Sequence, residues 1–229
     1  MKKMKILLIS RSFNKKGGVP RYVAELAERF VKKFETYLLT TKYDYKIPNL
    51  IVYKKPMIKK PFLLQIVSNT YYNTKYAKKL KEKNNIDIIH SNGSESLFCD
   101  VLTKHSCHRA WVNCYRSWDL FRSIRGRIDP MSSIILSIEK RVIKGSKKII
   151  AVSEGVKREI LENYDVSEEK IAVIPNGVNL EEFKPDLEKK RKIREKYRIK
   201  EDEIVLMFSG YEFRRKGLEY IIKALPLVK

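Results

Sequence analysis

Two adjacent glycines, Gly17 and Gly18, have the type and position to bind a ligand through their backbone. They lie between an apolar run, residues 5–10, and a pattern typical of an amphipathic helix. A glycine loop at a helix N-terminus lets backbone N–H groups approach a phosphate or a sugar closely. The full G-x-G-x-x-G pattern is absent, so the pair predicts either such a binding loop or a tight turn.

Histidine and cysteine side chains are concentrated in residues 99–114. His105 and His108 follow a predicted strand, and the three cysteines of the chain lie in the same stretch. Both residue types bind zinc, but their spacing matches no closed Cys/His site, so we expect no metal. Three cysteines cannot pair completely, which fits a reducing compartment.

Aromatic and arginine side chains are interleaved through residues 108–127. Three interpretations are open: an element that lies on an anionic membrane, a surface that stacks nucleic-acid bases, and an ordinary solvated helix. We favour contact with a membrane or a substrate over the solvated helix, and nucleic acid is the least expected partner. The lysine-rich residues 75–83 are expected to form a solvated helix face.

The charge of the chain limits its partners. There are 49 Lys and Arg residues against 27 Asp and Glu, a formal net charge of +22. This excess attracts nucleic acid, anionic membranes or phosphorylated small molecules. Apolar residues make up 43% of the chain, too many for a disordered protein. The basic N-terminus lacks a signal-peptide cleavage site, so we expect a cytoplasmic protein.

Short β-branched runs alternate with helical patterns along the chain. This order predicts an α/β protein with a Rossmann-like, doubly wound parallel sheet. The expected strands cover residues 5–10, 36–41, 50–53, 86–91, 100–105, 148–153 and 171–174. The best-defined helix follows Gly18, with apolar residues between Val19 and Phe34 on one face and Pro20 in its first turn.

The turn-forming residues Pro175-Asn176-Gly177, followed by Pro185 and a highly charged helical segment, predict a domain boundary. We place a first domain at residues 1–176 and a linker with a charged helix at 177–202. A predicted strand at 203–208 and a helix from about Gly217 would open a second Rossmann-like domain at 203–229. One strand and one helix cannot cover a sheet, so we expect this second domain to be incomplete.

Three segments resemble family 4 glycosyltransferases of the GT-B architecture. Residues 153–185, SEGVKREILENYDVSEEKIAVIPNGVNLEEFKP, resemble the family's strand ending in Ser, its helix, its IPNGVD turn and its F-x-P. Residues 5–28, with GGVPRYVAELA, resemble its first strand, glycine loop and helix. Residues 208–217 resemble the start of its second domain, with a shortened loop similar to that of lipopolysaccharide-core glucosyltransferases.

The resemblance implies that a hexose is transferred from a nucleotide diphosphate sugar to a saccharide or lipid-linked acceptor, with retention of configuration. It places Gly17 and Gly18 near the donor sugar and phosphate, and Arg215 and Lys216 on the diphosphate. A leaving diphosphate gains negative charge, which such cations stabilise. Taken alone, the two basic residues would be the solvated start of a helix.

The resemblance also places a histidine at the carboxyl end of a strand, beside the reacting sugar. His105 is our assignment for this catalytic position, with His108 and His90 as alternatives. The basic aromatic segment would then face the acceptor or the membrane through His108, Arg109, Trp111, Arg116 and Trp118.

The family's nucleotide pocket and its E-x7-E glutamates are expected beyond Lys229. The isolated chain should therefore transfer sugar poorly or not at all, and a second polypeptide could complete the donor domain. No metal or cofactor is expected, because cations and a helix N-terminus can carry the diphosphate charge. We expect the protein in the cytoplasm, peripherally at the inner face of the membrane. The alternatives are a non-catalytic binding module for RNA or anionic membrane, and a glycan-binding subunit of a split glycosyltransferase.

Overall fold

The computed structural model describes residues 3–117, 130–210, 213 and 216–228, without the side chains of 115–117 and 130. The chain separates into two compact units, residues 1–177 and 178–229. Each unit is described by itself. The functional division into an acceptor-side domain, a linker and a donor-binding segment stays a prediction.

A parallel sheet of seven strands forms the centre of the first unit. The strands of the unit are β1 (Lys5–Ile9), β2 (Ser12–Phe13), β3 (Glu35–Thr40), β4 (Lys42–Tyr43), β5 (Leu50–Lys54), β6 (Ile88–Asn92), β7 (Val101–Lys104), β8 (Lys148–Ala151) and β9 (Ile171–Val173). The order is β5-β3-β1-β6-β7-β8-β9, while β2 and β4 form a separate small pair. The predicted α/β fold and its seven strands are confirmed, each strand to within two residues.

Helices cover both faces of the sheet. They are α1 (Gly18–Lys33), α2 (Phe62–Asn84), α3 (His108–Ser117), α4 (Pro130–Gly145) and α5 (Glu154–Asn163). Alternate residues of β1 belong to two different cores, as the pleat of a strand requires. Ile6 and Leu8 pack with the buried residues of α1. Leu7 and Ile9 belong to the core that includes buried residues of α2, α4 and α5.

The second unit contains two helices and, within its described residues, no strand. The helices are α6 (Leu187–Lys196) and α7 (Leu218–Ala224), and a 3-10 turn, Leu225–Leu227, follows α7. The strand predicted at 203–208 is wrong for this structure. Ile204 is 90% and Met207 85% exposed, and a strand needs a neighbour to pair its backbone and a layer to cover its side chains.

Candidate functional site

A polar pocket of about 330 Å³ lies at the carboxyl ends of β1, β6 and β7. The strand order reverses between β1 and β6, because the chain first winds out to β5 and then resumes on the other side of β1. Doubly wound folds bind their ligands at such a switch point. The pocket therefore lies where the fold itself favours a binding site.

The N-terminus of α1 forms one wall of this pocket through Val19 and Pro20. Gly17 is the capping residue, no side chain caps the helix, and its first turn contains no acidic residue. Gly17 has an extended backbone with φ −116°, and a Cβ at Gly18 would meet nothing within 4 Å. Neither glycine is required by a left-handed turn, so a tight turn does not explain the pair. The uncapped helix end leaves N–H donors and the positive end of the helix dipole for a ligand.

His105 is the one of the three candidate histidines that lines the pocket. Its ring meets the Tyr22 ring edge-on, with 4.9 Å between the centroids. Its Nε2 is buried and has no hydrogen-bond partner among the described residues. Burial, and then the charge of Lys104, lower the pKa of His105 below 6.5. At neutral pH the ring is therefore uncharged and can bind a hydroxyl group.

The other two histidines have different surroundings. His90 is 5% exposed, and its Nε2 lies 2.7 Å from Thr103 Oγ1 inside the protein. Burial lowers the pKa of His90 to about 4, as expected of a structural histidine. His108 stacks on Trp111, with 5.5 Å between the ring centroids.

An ion pair that sequence reasoning missed forms another part of the pocket wall. Arg11 Nη2 lies 3.3 Å from Glu95 Oε1, and both residues line the pocket. The Asn69 amide also donates to the Glu95 carboxylate, and the Asn73 amide donates to the Glu95 carbonyl at 2.8 Å. The signal in the sequence was position, since Arg11 closely follows β1 and Glu95 closely follows β6.

Asn92 and Gly93 shape the floor of the pocket at the end of β6. Asn92 is 2% exposed, and its Oδ1 has no hydrogen-bond partner among the described residues. Gly93 has φ +76°, a conformation that favours glycine, and its N–H donates to the Thr103 carbonyl at 2.9 Å. A buried amide oxygen without a protein partner suits a ligand hydroxyl or a water molecule.

A buried lysine supports the same wall from behind. Lys55 is 4% exposed, and its Nζ donates to Asn69 Oδ1 at 2.6 Å. Burial lowers the pKa of Lys55 to about 8, while Glu95 acts to raise it and Arg11 to lower it further. The chain of contacts from Lys55 through Asn69 to Glu95 holds the carboxylate in place.

The depressed pKa of Lys55 predicts a pH-dependent stability. Between pH 8 and 9 the folded protein loses the Lys55 proton, whereas the unfolded lysine, with a pKa of 10.5, keeps it. Stability then rises with pH, so the wild type should gain about 1 kcal/mol of unfolding free energy relative to Lys55→Met. Urea unfolding at both pH values measures the difference. Lys54→Met, at the exposed neighbour, keeps Lys55, so its stability should change with pH as that of the wild type does. Parallel pH profiles of wild type and Lys55→Met would contradict the prediction.

A second buried carboxylate, Glu139 of α4, fixes the loop that carries His105. Its Oε1 lies 2.5 Å from Lys104 Nζ, and its two oxygens accept the backbone N–H groups of His108 and Arg109 at 2.9 and 3.1 Å. The Tyr164 hydroxyl donates to Oε2 as well. Glu139 thus caps α3 from another helix and ties the end of β7 to α4.

The remaining predicted site residues are dispersed. Trp111 is 49% exposed on α3, and Lys216 is exposed in the second unit. The side chain of Arg116 and the whole of Trp118 and Arg215 lie outside the described residues. Among the residues that the structure describes, no three His, Cys, Asp or Glu side chains cluster as metal ligands would. No described helix is long and apolar enough to cross a bilayer.

Comparison with known families decides the class of protein. The sequence profile of Glycosyltransferase Family 4 matches residues 16–182, which is most of the chain. The chain belongs to glycosyltransferase family 4. This region includes the α1 wall of the pocket, the Arg11 partner Glu95 and His105, while β1 precedes it.

The proteins that this family 4 chain resembles are longer than the chain. The uncharacterised glycosyltransferase MJ1607 of Methanocaldococcus jannaschii is 28% identical over 240 residues, covering 98% of this chain and 60% of that protein. WaaG, a glycosyltransferase of lipopolysaccharide biosynthesis, has a similar fold with a TM-score of 0.72 at 18% identity, covering 96% of this chain and 58% of WaaG. Anabaena HepE, solved with UDP and glucose, gives a TM-score of 0.61 at 15% identity, with 99% and 58% covered.

The chain thus spans about three fifths of the length of these proteins. The resemblance to family 4 that the sequence motifs predicted is confirmed, and the predicted similarity to lipopolysaccharide-core glucosyltransferases agrees with the match to the fold of WaaG. The likeness to WaaG and HepE concerns the fold alone.

Proposed function

We propose that this chain provides the acceptor-side part of a retaining hexosyltransferase that uses a nucleotide diphosphate sugar. The observation that carries the proposal is the polar pocket at the switch point, where an uncapped helix N-terminus and a neutral histidine meet. Family 4 membership supplies the reaction class. HepE, which shares the fold, was solved with UDP and glucose bound.

In this proposal the donor phosphate or sugar lies against the N-terminus of α1. The N–H groups of Gly18 and Val19 are the donors there, because Pro20 has none. Arg215 and Lys216 of the second unit contact the diphosphate and stabilise the charge it gains as the glycosidic bond breaks. No step requires a metal or a cofactor.

His105 contacts the reacting sugar in the same proposal. Its low pKa keeps the imidazole uncharged at neutral pH, so it can accept a hydrogen bond from a hydroxyl or donate one. The Tyr22 ring holds it from one side, and Glu139 fixes the start of α3 just beyond it. His105 thus orients the sugar toward the acceptor.

The acceptor, a saccharide or a lipid-linked saccharide, would approach along α3. The acceptor or membrane surface comprises His108, Arg109, Trp111, Arg116 and Trp118. With a net charge of +22, peripheral binding to the inner face of an anionic membrane follows from electrostatics. A second polypeptide that completes the donor domain is the expected protein partner, and nucleic acid is not expected to be a substrate.

The proposal is tested by placing a carboxylate at the helix N-terminus. Gly18→Asp should weaken the binding of a nucleotide diphosphate sugar about tenfold relative to Gly18→Asn, because the two side chains have nearly the same size and only the aspartate repels phosphate. The space around Gly18 is open, so both variants should fold. Calorimetric titration measures the affinities, and thermal unfolding checks the fold. Equal affinities in the two variants would argue against a phosphate at this helix end.

A further inference from the structure

A second cavity, an apolar groove of about 630 Å³, lies between α2 and α4. We call it the α2–α4 groove. Its walls are mainly aliphatic, with Val67 of α2 on one side, Ile134 and Ile138 of α4 on the other, and Leu97 between them. Val67 is 40% and Leu97 36% exposed. The groove has the size of a small-molecule site, and its exposed apolar side chains are costly unless a ligand covers them.

Cations surround this apolar groove. Lys75, Lys78 and Arg141 line it, and all three are exposed. The carboxylate of Asp100, which lies nearby, pairs instead with Lys81 and Lys147. Lys78 Nζ lies 5.6 Å from the centre of the Phe98 ring. An apolar channel lined by exposed cations is complementary to an amphiphile that has a hydrocarbon chain and an anionic head.

The groove and the polar pocket are connected through α2 and the loop after β6. Asn69 of α2 holds Glu95 in the pocket, and Thr70, the next residue, lines the groove. Along the loop after β6, Glu95 lines the pocket and Leu97 the groove. The Leu97 N–H donates to Thr74 Oγ1 at 3.0 Å, which fixes the loop on α2. One helix and one loop therefore connect a site for polar groups with a site for a chain.

We propose that the α2–α4 groove binds the hydrocarbon chain of an anionic lipid-linked acceptor, with its phosphate at Lys75, Lys78 and Arg141. This rests on the proposed transferase function and narrows the acceptor to a lipid-linked one. The sugar end of such a molecule would reach toward the polar pocket. The ligand is a single lipid molecule held in a groove, which differs from adsorption of the protein to a membrane surface.

Monomeric alkyl phosphates test the groove without any transferase activity. Octyl and decyl phosphate, each below its micellar concentration, are titrated into the chain by calorimetry. Two further buried methylene groups should tighten binding about tenfold. Ser137→Phe, at an exposed residue of the groove, should fill the groove and weaken the binding of decyl phosphate at least tenfold. The double variant Lys78→Glu/Arg141→Glu should weaken this binding by a similar factor, because it replaces two cations by carboxylates.

Matched controls come from the neighbouring exposed cations, which do not line the groove. The double variant Lys79→Glu/Lys140→Glu changes the net charge by the same amount as Lys78→Glu/Arg141→Glu, and it should bind decyl phosphate as the wild type does. Affinity that is independent of chain length, or unchanged by Ser137→Phe, would overturn the proposal. Binding to anionic vesicles without binding to monomeric alkyl phosphates would overturn it too. Self-association of the chain that Ser137→Phe abolishes would also overturn it, because the groove would then bind a second copy of the chain. Because the probe carries no nucleotide, failure here leaves the donor-binding test at Gly18 unaffected.

Discussion

Replacing Glu139 by glutamine is expected to lower the unfolding free energy by about 3–5 kcal/mol, because the change leaves a buried ammonium without its counter-charge. Lys104 is 6% and Glu139 1% exposed, with 2.5 Å between the charged atoms. Burial alone would raise the pKa of Glu139, but Lys104 and the hydrogen bond from Tyr164 bring it below 4.5. The charged Glu139 carboxylate therefore makes its full contribution to stability at neutral pH, and this contribution is lost as the pH falls through the lowered pKa of Glu139 in the folded protein.

Two further variants separate the buried charge from the packing around it. Glu162→Gln, at an exposed position of α5, should change the stability by less than about 0.5 kcal/mol. The double variant Lys104→Met/Glu139→Gln should recover much of the loss, since it removes both charges while the amide oxygen at 139 can still accept a hydrogen bond from the start of α3. Urea unfolding measures all of these. A loss below 1 kcal/mol in Glu139→Gln would mean that the ion pair does not hold the end of β7.

If the proposed hexose transfer takes place at the polar pocket, replacing His105 by alanine should lower its rate about 100-fold, the usual cost of losing one oriented polar contact in the transition state. The effect should fall on kcat, with the KM for the donor changed much less. Thermal unfolding should be close to that of the wild type, since the His105 Nε2 has no described protein partner. Steady-state kinetics with the donor varied separates the two parameters.

His108→Ala is the matched control, because His108 stacks on Trp111 and does not line the polar pocket. It should leave kcat close to the wild-type value and affect mainly the KM for the acceptor, because His108 belongs to the proposed acceptor surface. If His108→Ala lost the larger share of activity, His108 would be the residue at the reacting sugar. If both variants remained fully active, no histidine of this loop would take part in transfer.

The sheet could be predicted from the sequence because its strands are continuous apolar runs, as in Leu7–Ile9. α1 could be predicted because its apolar residues recur with a helical period. Most of α2 was not predicted from the sequence, because the buried residues of this helix include the polar Ser68, Asn69, Thr70 and Asn73. Asn69 and Asn73 donate hydrogen bonds to Glu95 in the loop after β6, and a search for apolar residues at helical spacing does not detect such polar contacts.

The pocket could be predicted only in part. The glycine pair and His105 were candidates because of their places after strands or before a helix, and the structure brings the N-terminus of α1 and His105 to one pocket. Arg11, Glu95 and Asn92 were missed, since their contact depends on three-dimensional proximity between segments more than 80 residues apart in sequence. The strand at 203–208 was predicted from local apolar character alone, whereas pairing requires a neighbouring strand.

Titration with UDP-, GDP- and ADP-glucose tests the central claim most directly, that this family 4 chain takes part in handling a nucleotide diphosphate sugar. The chain is titrated alone and mixed with any polypeptide encoded directly downstream, and RNA and anionic vesicles serve as competing ligands at several salt concentrations. We predict saturable binding of one nucleotide sugar that weakens in Gly18→Asp and in Arg215→Ala/Lys216→Ala. Binding of none of them in either setting, together with tight salt-sensitive binding of RNA, would contradict the claim and favour a basic binding module.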